Sequence, residues 1–198
     1  MLSIHRGDER RPLVTGDGRV YLRHPARSDR EEFTGLMRAS REFHAPWATA
    51  PTDDERFSAY LADSRRSDFE ALLLCRRNDD AILGFFNLSQ IVRRRLQSAY
   101  LGYAVGHPFA GQGYMREGIG LVLLHAFSNL RLHRIEANIQ PGNAASLALA
   151  AGAGFRREGF SPRYLKIGGR WRDHERWAIL VDEWRARTGA PEQPEAPF

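Results

Sequence analysis

A chain of 198 residues, 42% hydrophobic and 11% aromatic, carries enough apolar material for one domain with a sizeable core and too much for a disordered segment. No stretch reaches the roughly 20 apolar residues of a membrane-spanning helix, and Met1 to Arg11 is charged and lacks the apolar core of a secretory signal. The single cysteine, Cys75, excludes an internal disulfide, which fits a cytoplasmic protein; the net charge of +5 suits an anionic cofactor or an RNA or ribosome partner.

Residues 1–18 read as irregular. Arg19 to His24 reads as a strand in which Val20 and Leu22 alternate with Tyr21 and Arg23, closed by Pro25. Ser28 with Glu31 has the form of a capping box opening a helix to about Phe43, and Thr52 with Glu55 repeats it for a second helix. Between them, Phe43, His44, Pro46 and Trp47 sit in a helix-breaking stretch. Phe69–Arg76 and Ala81–Val92 form a hairpin through Asn78-Asp79-Asp80. Cys75, ending the run Ala71 to Cys75, belongs in a strand core. Arg93-Arg94-Arg95 is either a solvated hairpin end or a basic rim for the substrate.

Gln97–Val105 is a further strand. Met115, Ile119, Val122, Leu123, Ala126, Phe127 and Leu130 recur at helical spacing, giving a largely buried helix. Arg134–Ile139 alternates, with Ile135, Ala137 and Ile139 on one face and Arg134, Glu136 and Asn138 on the other. Asn143 caps a short Ala-rich helix ending near Gly152. Phe155–Phe160, Tyr164–Ile167 and Trp171–Val181 complete the strands, and the tail from Arg187, with Pro191, Pro194 and Pro197, reads as disordered. Strands and helices mixed in this way make an α/β chain with a mixed sheet and helices on both faces.

The most informative segment is Gly106-His107-Pro108-Phe109-Ala110-Gly111-Gln112-Gly113-Tyr114-Met115, between a strand and a buried helix. Closely spaced glycines let backbone N–H groups converge, and the helix N-terminus adds unpaired donors and a partial positive charge. That combination suits a pyrophosphate. It is neither a Walker loop nor a dinucleotide fingerprint, since Gly-Lys-Ser/Thr and the third glycine are absent. By itself the pair is equally at home in a tight turn. Asn143-Ala144-Ala145-Ser146 after the next strand and Gly152-Ala153-Gly154-Phe155 beyond it add context.

With that company, Gly111-Gln112-Gly113-Tyr114-Met115 resembles the acetyl-CoA pyrophosphate loop of the GNAT superfamily of N-acetyltransferases. Asn143 to Phe155 resembles the motif that follows it. Met115 with Glu117, Trp171-Arg172-Asp173-His174, Val20-Tyr21-Leu22-Arg23, Asp29 and Pro46-Trp47 are similar to the RimJ/RimL group, which acetylates protein N-terminal amines. The resemblance spans residues 19–184. It implies the GNAT fold over 19–186: a twisted, mostly antiparallel sheet in which the strand holding Leu101–Val105 bulges and splays from Arg134–Ile139. Acetyl-CoA would lie in that opening, on Tyr103, Ala104, Val105, Gly111, Gln112, Gly113, Tyr114, Met115, Asn143 and Ser146. The resemblance departs at Ala110, where Gln or Arg is usual, and at Arg163, where some relatives carry an acid.

Acetyl transfer to an amine needs a neutral amine, a held carbonyl and a proton for the leaving thiolate. The resemblance implies Ser146 as the acid; an ordinary place in the helix N-terminus is the alternative. Glu136 is the one acid on its strand face and the candidate base, and Trp47, Asn138 and Tyr164 are candidate acceptor contacts. An α-amine, with a pKa of about 7.7–8.0, needs a base less than a lysine at about 10.4. His and Cys spacing offers no metal site. The acceptor is therefore expected to be a protein or peptide N-terminus, with association to the ribosome and a monomeric or dimeric enzyme. A small amine such as an antibiotic or polyamine, and a non-catalytic CoA-binding or RNA-associated module, are the alternatives.

Overall fold

The computed structural model describes residues 11–45 and 47–192; Pro46, the final residues with Pro194 and Pro197, and most of the charged amino-terminal stretch lie outside the described residues. Eight strands form one sheet in the order β1-β2-β3-β4-β5-β6-β8-β7. They are β1 (Val14–Thr15), β2 (Val20–Arg23), β3 (Phe69–Arg76), β4 (Ile82–Val92), β5 (Ser98–Val105), β6 (Arg134–Ile139), β7 (Arg156–Ile167) and β8 (Arg170–Leu180). All neighbours are antiparallel except β5 and β6, which run parallel. The helices are α1 (Arg30–Ala39), α2 (Arg41–His44), α3 (Asp54–Asp63), α4 (Tyr114–Leu124), α5 (Ala144–Ala153) and α6 (Val181–Thr188).

The sheet is covered on both faces, and β3 shows why its apolar run is continuous. Leu72 and Leu74 join Phe86, Ile119, Phe127 and Trp184 in one core, while Ala71, Leu73 and Cys75 join Phe33, Met37, Phe57 and Tyr60 in the other. A strand with period-2 side chains between two helical layers must be apolar at every position. Cys75 is fully buried, and burial pushes its thiol up to about 11. The same two-sided burial corrects the alternation expected in β2, because Tyr21 and Arg23 are as buried as Val20 and Leu22.

Arg23 is accommodated by Asp29. Its guanidinium donates to both carboxylate oxygens, at 2.6 and 2.8 Å, and Asp29 Oδ2 also accepts the Ala26 N–H at 2.7 Å. This carboxylate ties the entry of α1 to the end of β2. At the second helix the cap is Asp53, whose side chain accepts the Arg56 N–H, one residue beyond the expected Thr52. The chain kinks at Ser40, which splits the first helix into α1 and α2 and turns its hydroxyl back to the Leu36 carbonyl at 2.8 Å. Nearby, Glu70 accepts from His24 at 2.7 Å and His125 at 3.0 Å. Burial alone would raise its pKa, but these two bonds outweigh it and draw the carboxyl down to about 2.

Other boundaries differ locally. α4 ends at Leu124, and His125–Asn129 continues as a wider π turn before Leu130. The two late segments expected around Phe160 and Tyr164 are one strand, β7, interrupted between Ser161 and Leu165, where Arg163 takes a φ of 47°. The stretch expected to be irregular at the front contains β1, paired with β2. The expected disordered tail begins inside α6, whose Trp184 packs against Phe127 at 5.4 Å between ring centroids. No helix among the described residues is long and apolar enough to cross a membrane.

Replacing Asp29 with Ala leaves the buried Arg23 guanidinium without its bidentate partner. Loss of one partner from a buried pair costs about 3–5 kcal/mol. Urea denaturation of Asp29→Ala is expected to show a loss of that size with an unchanged m-value.

Candidate active site

The site begins where a strand pair comes apart. β5 and β6 are in register only over Ser98–Arg134, Ala99–Ile135 and Tyr100–Glu136. Past Tyr100, β5 follows β4 to Val105 and β6 follows β8 to Ile139, so each strand keeps one partner and loses the other. The splay is therefore present, but the expected bulge in 101–105 is not: β5 stays in unbroken register with β4 from Tyr100 to Val105, and the irregularity falls between Ser89 and Val92. Between the diverging arms lies a cavity of about 490 Å³.

The wide end of the opening is bridged by the segment after α1. The His44 ring bonds the Val105 carbonyl at 2.8 Å, and Gln140, just past β6, donates to the Trp47 carbonyl at 3.2 Å. Ser40 reaches the same region, accepting the His107 N–H at 2.9 Å. Phe43, His44 and Trp47 thus become cavity wall, and the helix-breaking stretch ties the two arms together.

The narrow loop before α4 supplies the opposite wall. Gly111 and Gly113 have φ of 74° and 83°, in the left-handed region that favours glycine. Gly113 is the residue from which α4 springs, and the N–H groups of Gly113, Tyr114 and Met115 have no carbonyl acceptor among the described residues. The loop is clamped from behind by Arg19, whose backbone N–H and Nε donate to Glu117 at 2.8 and 2.7 Å. Its Nη2 donates to the Gln112 carbonyl at 3.0 Å, and the guanidinium lies 4.5 Å from the Tyr114 ring centroid. The small Ala110 also lines the cavity, and so does Arg116, which makes no ion pair with another described residue.

α5 closes the floor. Asn143 Oδ1 accepts the Ser146 N–H at 3.1 Å, and the Tyr103 hydroxyl donates to the Ser146 carbonyl at 3.2 Å. Burial pushes that phenol up to about 12, so it stays a donor. Ser146 lines the cavity, and its side chain also hydrogen-bonds that of Tyr103. Capping is the work of Asn143, not of the Ser146 hydroxyl.

The structure thus gathers Tyr103, Ala104, Val105, Gly111, Gly113, Tyr114, Met115, Asn143 and Ser146 around one space, which Trp47 and Asn138 also line. Asn138 Oδ1 is buried with no hydrogen-bond partner. Three expected residues lie elsewhere. Gln112 turns back to the Pro108 carbonyl. Glu136 sits at the closed apex, paired with Arg134 at 2.8 Å. Tyr164 is outside the wall and packs edge-on against His174 at 6.1 Å between ring centroids. The Arg93–Arg95 run is also remote, because it precedes the Ser98 end of β5, where the strands are still paired. Sequence reasoning missed His174, Gln140 and Arg116 as cavity residues. For His174 the only available signal was its place in Trp171-Arg172-Asp173-His174.

A parallel pair that splays over a glycine loop and helix N-terminus is the arrangement the sequence motifs implied, and the family comparison decides it: the acetyltransferase (GNAT) domain matches residues 19–156. The chain belongs to the GNAT family. It is an acetyl-CoA-dependent N-acetyltransferase of RimJ-like type. A probable N-acetyltransferase, YjcK of Bacillus subtilis, is 34% identical over 169 residues, covering 81% of this chain and 93% of that protein. The ribosomal protein uS5-alanine N-acetyltransferase of Escherichia coli is 36% identical over 107 residues, covering 54% of this chain and 55% of the relative. Mycobacterium smegmatis RimJ, solved with CoA-disulfide, superposes with a TM-score of 0.74 at 26% identity, covering 86% of this chain and 89% of that one.

Gly113→Val places a branched side chain at a left-handed φ, a cost of about 1–2 kcal/mol, and brings a Cβ within 3.3 Å of the Arg19 guanidinium. In this GNAT enzyme the substitution is expected to weaken acetyl-CoA binding about tenfold or more by isothermal titration, with the far-UV circular dichroism of the wild type. Wild-type affinity in a folded variant would move the phosphate site away from this loop.

Proposed function

We propose that this enzyme acetylates the N-terminal α-amine of a protein in the cytoplasm, with a ribosomal protein as the acceptor. The observation that carries this reading is the charge of the cavity wall. Among the described residues no Asp or Glu lines it, and Arg116, His44 and His174 are the ionisable basic groups there. A polyamine arrives as a multiply charged cation and needs carboxylates to pair with. A peptide terminus brings one amine, which is partly neutral at physiological pH. The name of the uS5-alanine relative points the same way.

In this reading acetyl-CoA supplies the activated acyl group. The unpaired N–H groups at the start of α4 and the Arg116 guanidinium receive the pyrophosphate, and Ala110 adds only backbone. The unpaired edge of β5 at Tyr103–Val105 and the Asn143 side chain orient the pantetheine arm, and positioning of this kind can contribute several kcal/mol. Ser146 offers its hydroxyl proton to the departing sulfur. Trp47, Phe43 and Asn138 wall the acceptor end. Beyond that end, the β7–β8 hairpin presents the exposed Arg163, Lys166 and Arg170. They take the place of Arg93–Arg95 as a basic rim for acidic residues following the terminus.

Ser146→Ala is expected to lower kcat by about 10²–10⁴-fold, the usual worth of acid–base help, while acetyl-CoA Kd and thermal stability stay near wild type. An unchanged kcat would reduce Ser146 to its backbone role.

Peptides beginning with Ala or Ser are expected to be acetylated at the terminus, faster when acidic residues follow, with added salt weakening that preference. Mass spectrometry of the products locates the acetyl group. Modification confined to lysine side chains, or turnover confined to small amines, would overturn the acceptor assignment.

A further inference from the structure

With Glu136 locked at the apex of the splayed strands, the cavity needs another group to take the proton that the amine gives up. We propose that His174 is the general base of the transfer reaction, acting through its Nε2. This rests on the acetyltransferase reading of the site but not on which amine is the acceptor.

His174 stands one residue beyond the β6–β8 ladder, since Glu175 is the last β8 residue opposite β6, at Ile139. It therefore sits at the open end of the splay, where it lines the cavity beside Gln140 and Asn138. The residue is only 3% exposed. Its Nδ1 lies 3.0 Å from the Arg172 carbonyl. A carbonyl can only accept, so Nδ1 carries the hydrogen, and in the neutral ring Nε2 is left with its lone pair. Nε2 has no protein partner among the described residues. The ring packs edge-on against Tyr164, at 6.1 Å between centroids. An anchored, buried imidazole with its basic nitrogen unpaired toward a cavity matches what proton abstraction requires.

Burial lowers the pKa of the ring from its ordinary value, so it is neutral in the physiological range. The charged neighbours are Arg172 and Asp173 on its own strand and Arg163 on β7, whose N–H holds the Asp173 carboxylate at 2.7 Å. The adjoining end of β6 contributes only the uncharged Asn138 and Gln140.

The proton balance is simple. The amine lone pair forms the new C–N bond at the thioester carbonyl carbon, and one N–H proton passes to His174 Nε2, directly or through one water. The C–S bond breaks with its electron pair going to sulfur, which takes a proton from Ser146. The serine oxygen then recovers the proton held by His174 through solvent, leaving amide and thiol products with both side chains in their starting states.

Three measurements test the proposal. On the wild-type protein, ¹⁵N NMR of the imidazole is expected to show the Nδ1–H tautomer at neutral pH, the reverse of the usual preference. In steady-state kinetics, His174→Gln is expected to lose about 10²–10⁴-fold in kcat with an unchanged CoA Kd by titration calorimetry. The wild-type kcat is expected to rise with pH through the imidazole titration, below its ordinary range. That limb should stay in place when acceptors of different amine pKa are compared, and vanish in His174→Gln. An Nε2–H tautomer overturns the proposal, as does retention of both kcat and the acidic limb in the variant. If the variant is too unstable to assay, the wild-type tautomer and the position of the limb decide. A wrong acceptor assignment would appear in the product analysis alone and leave these readouts intact.

Discussion

The whole site depends on one constraint in the sheet. β5 and β6 pair for three residues and then each follows a different neighbour, β4 on one side and β8 on the other. A sheet interrupted in this way exposes backbone groups that would otherwise be spent on a ladder, and an unpaired strand edge is a ready template for an extended partner. Here the edge lines a partly open cavity. The segment from Ser40 to Trp47 holds it open, with His44 bound to the end of β5 and Gln140 at the end of β6 bound to Trp47. The extended arm of a CoA thioester has the shape such an edge can receive.

Around that opening, charge is handled by pairing close behind the wall. Arg19 and Glu117 fix the glycine loop, Arg23 and Asp29 fix the end of β2 to the entry of α1, and Arg134 holds Glu136 at the apex. Each pair removes a charge from contention at the site, so that Arg116 and two histidines set the local electrostatics. A buried pair such as Arg23–Asp29 is weak evidence of net stabilisation, but it is strongly destabilising to break. It therefore makes the position of α1, and through it the bridge over the cavity, hard to alter.

Much of the molecule is written in local pattern. The period-2 and period-3.6 spacing, the Asn143 cap and the two glycines of the loop are determined by neighbours a few residues away, and they marked the sheet strands, α4, α5 and the phosphate cradle. Where local pattern misled, a distant partner had intervened. Arg23 reads as a surface residue until Asp29 buries it, and the tail read from Arg187 begins inside α6, whose Trp184 packs on Phe127.

The sequence alone determined the family, the glycine loop before α4 and most of the residues proposed for the cofactor, because those depend on backbone conformation set by short motifs. Only the tertiary structure decided which side chains line the cavity. It moved Glu136, Tyr164 and Arg93–Arg95 away from it and brought in His174, Gln140 and Arg116. The reason is that the splay turns residues on neighbouring strands toward different spaces. How far each strand follows its partner before parting is fixed by contacts across the sheet, and no window of sequence contains them.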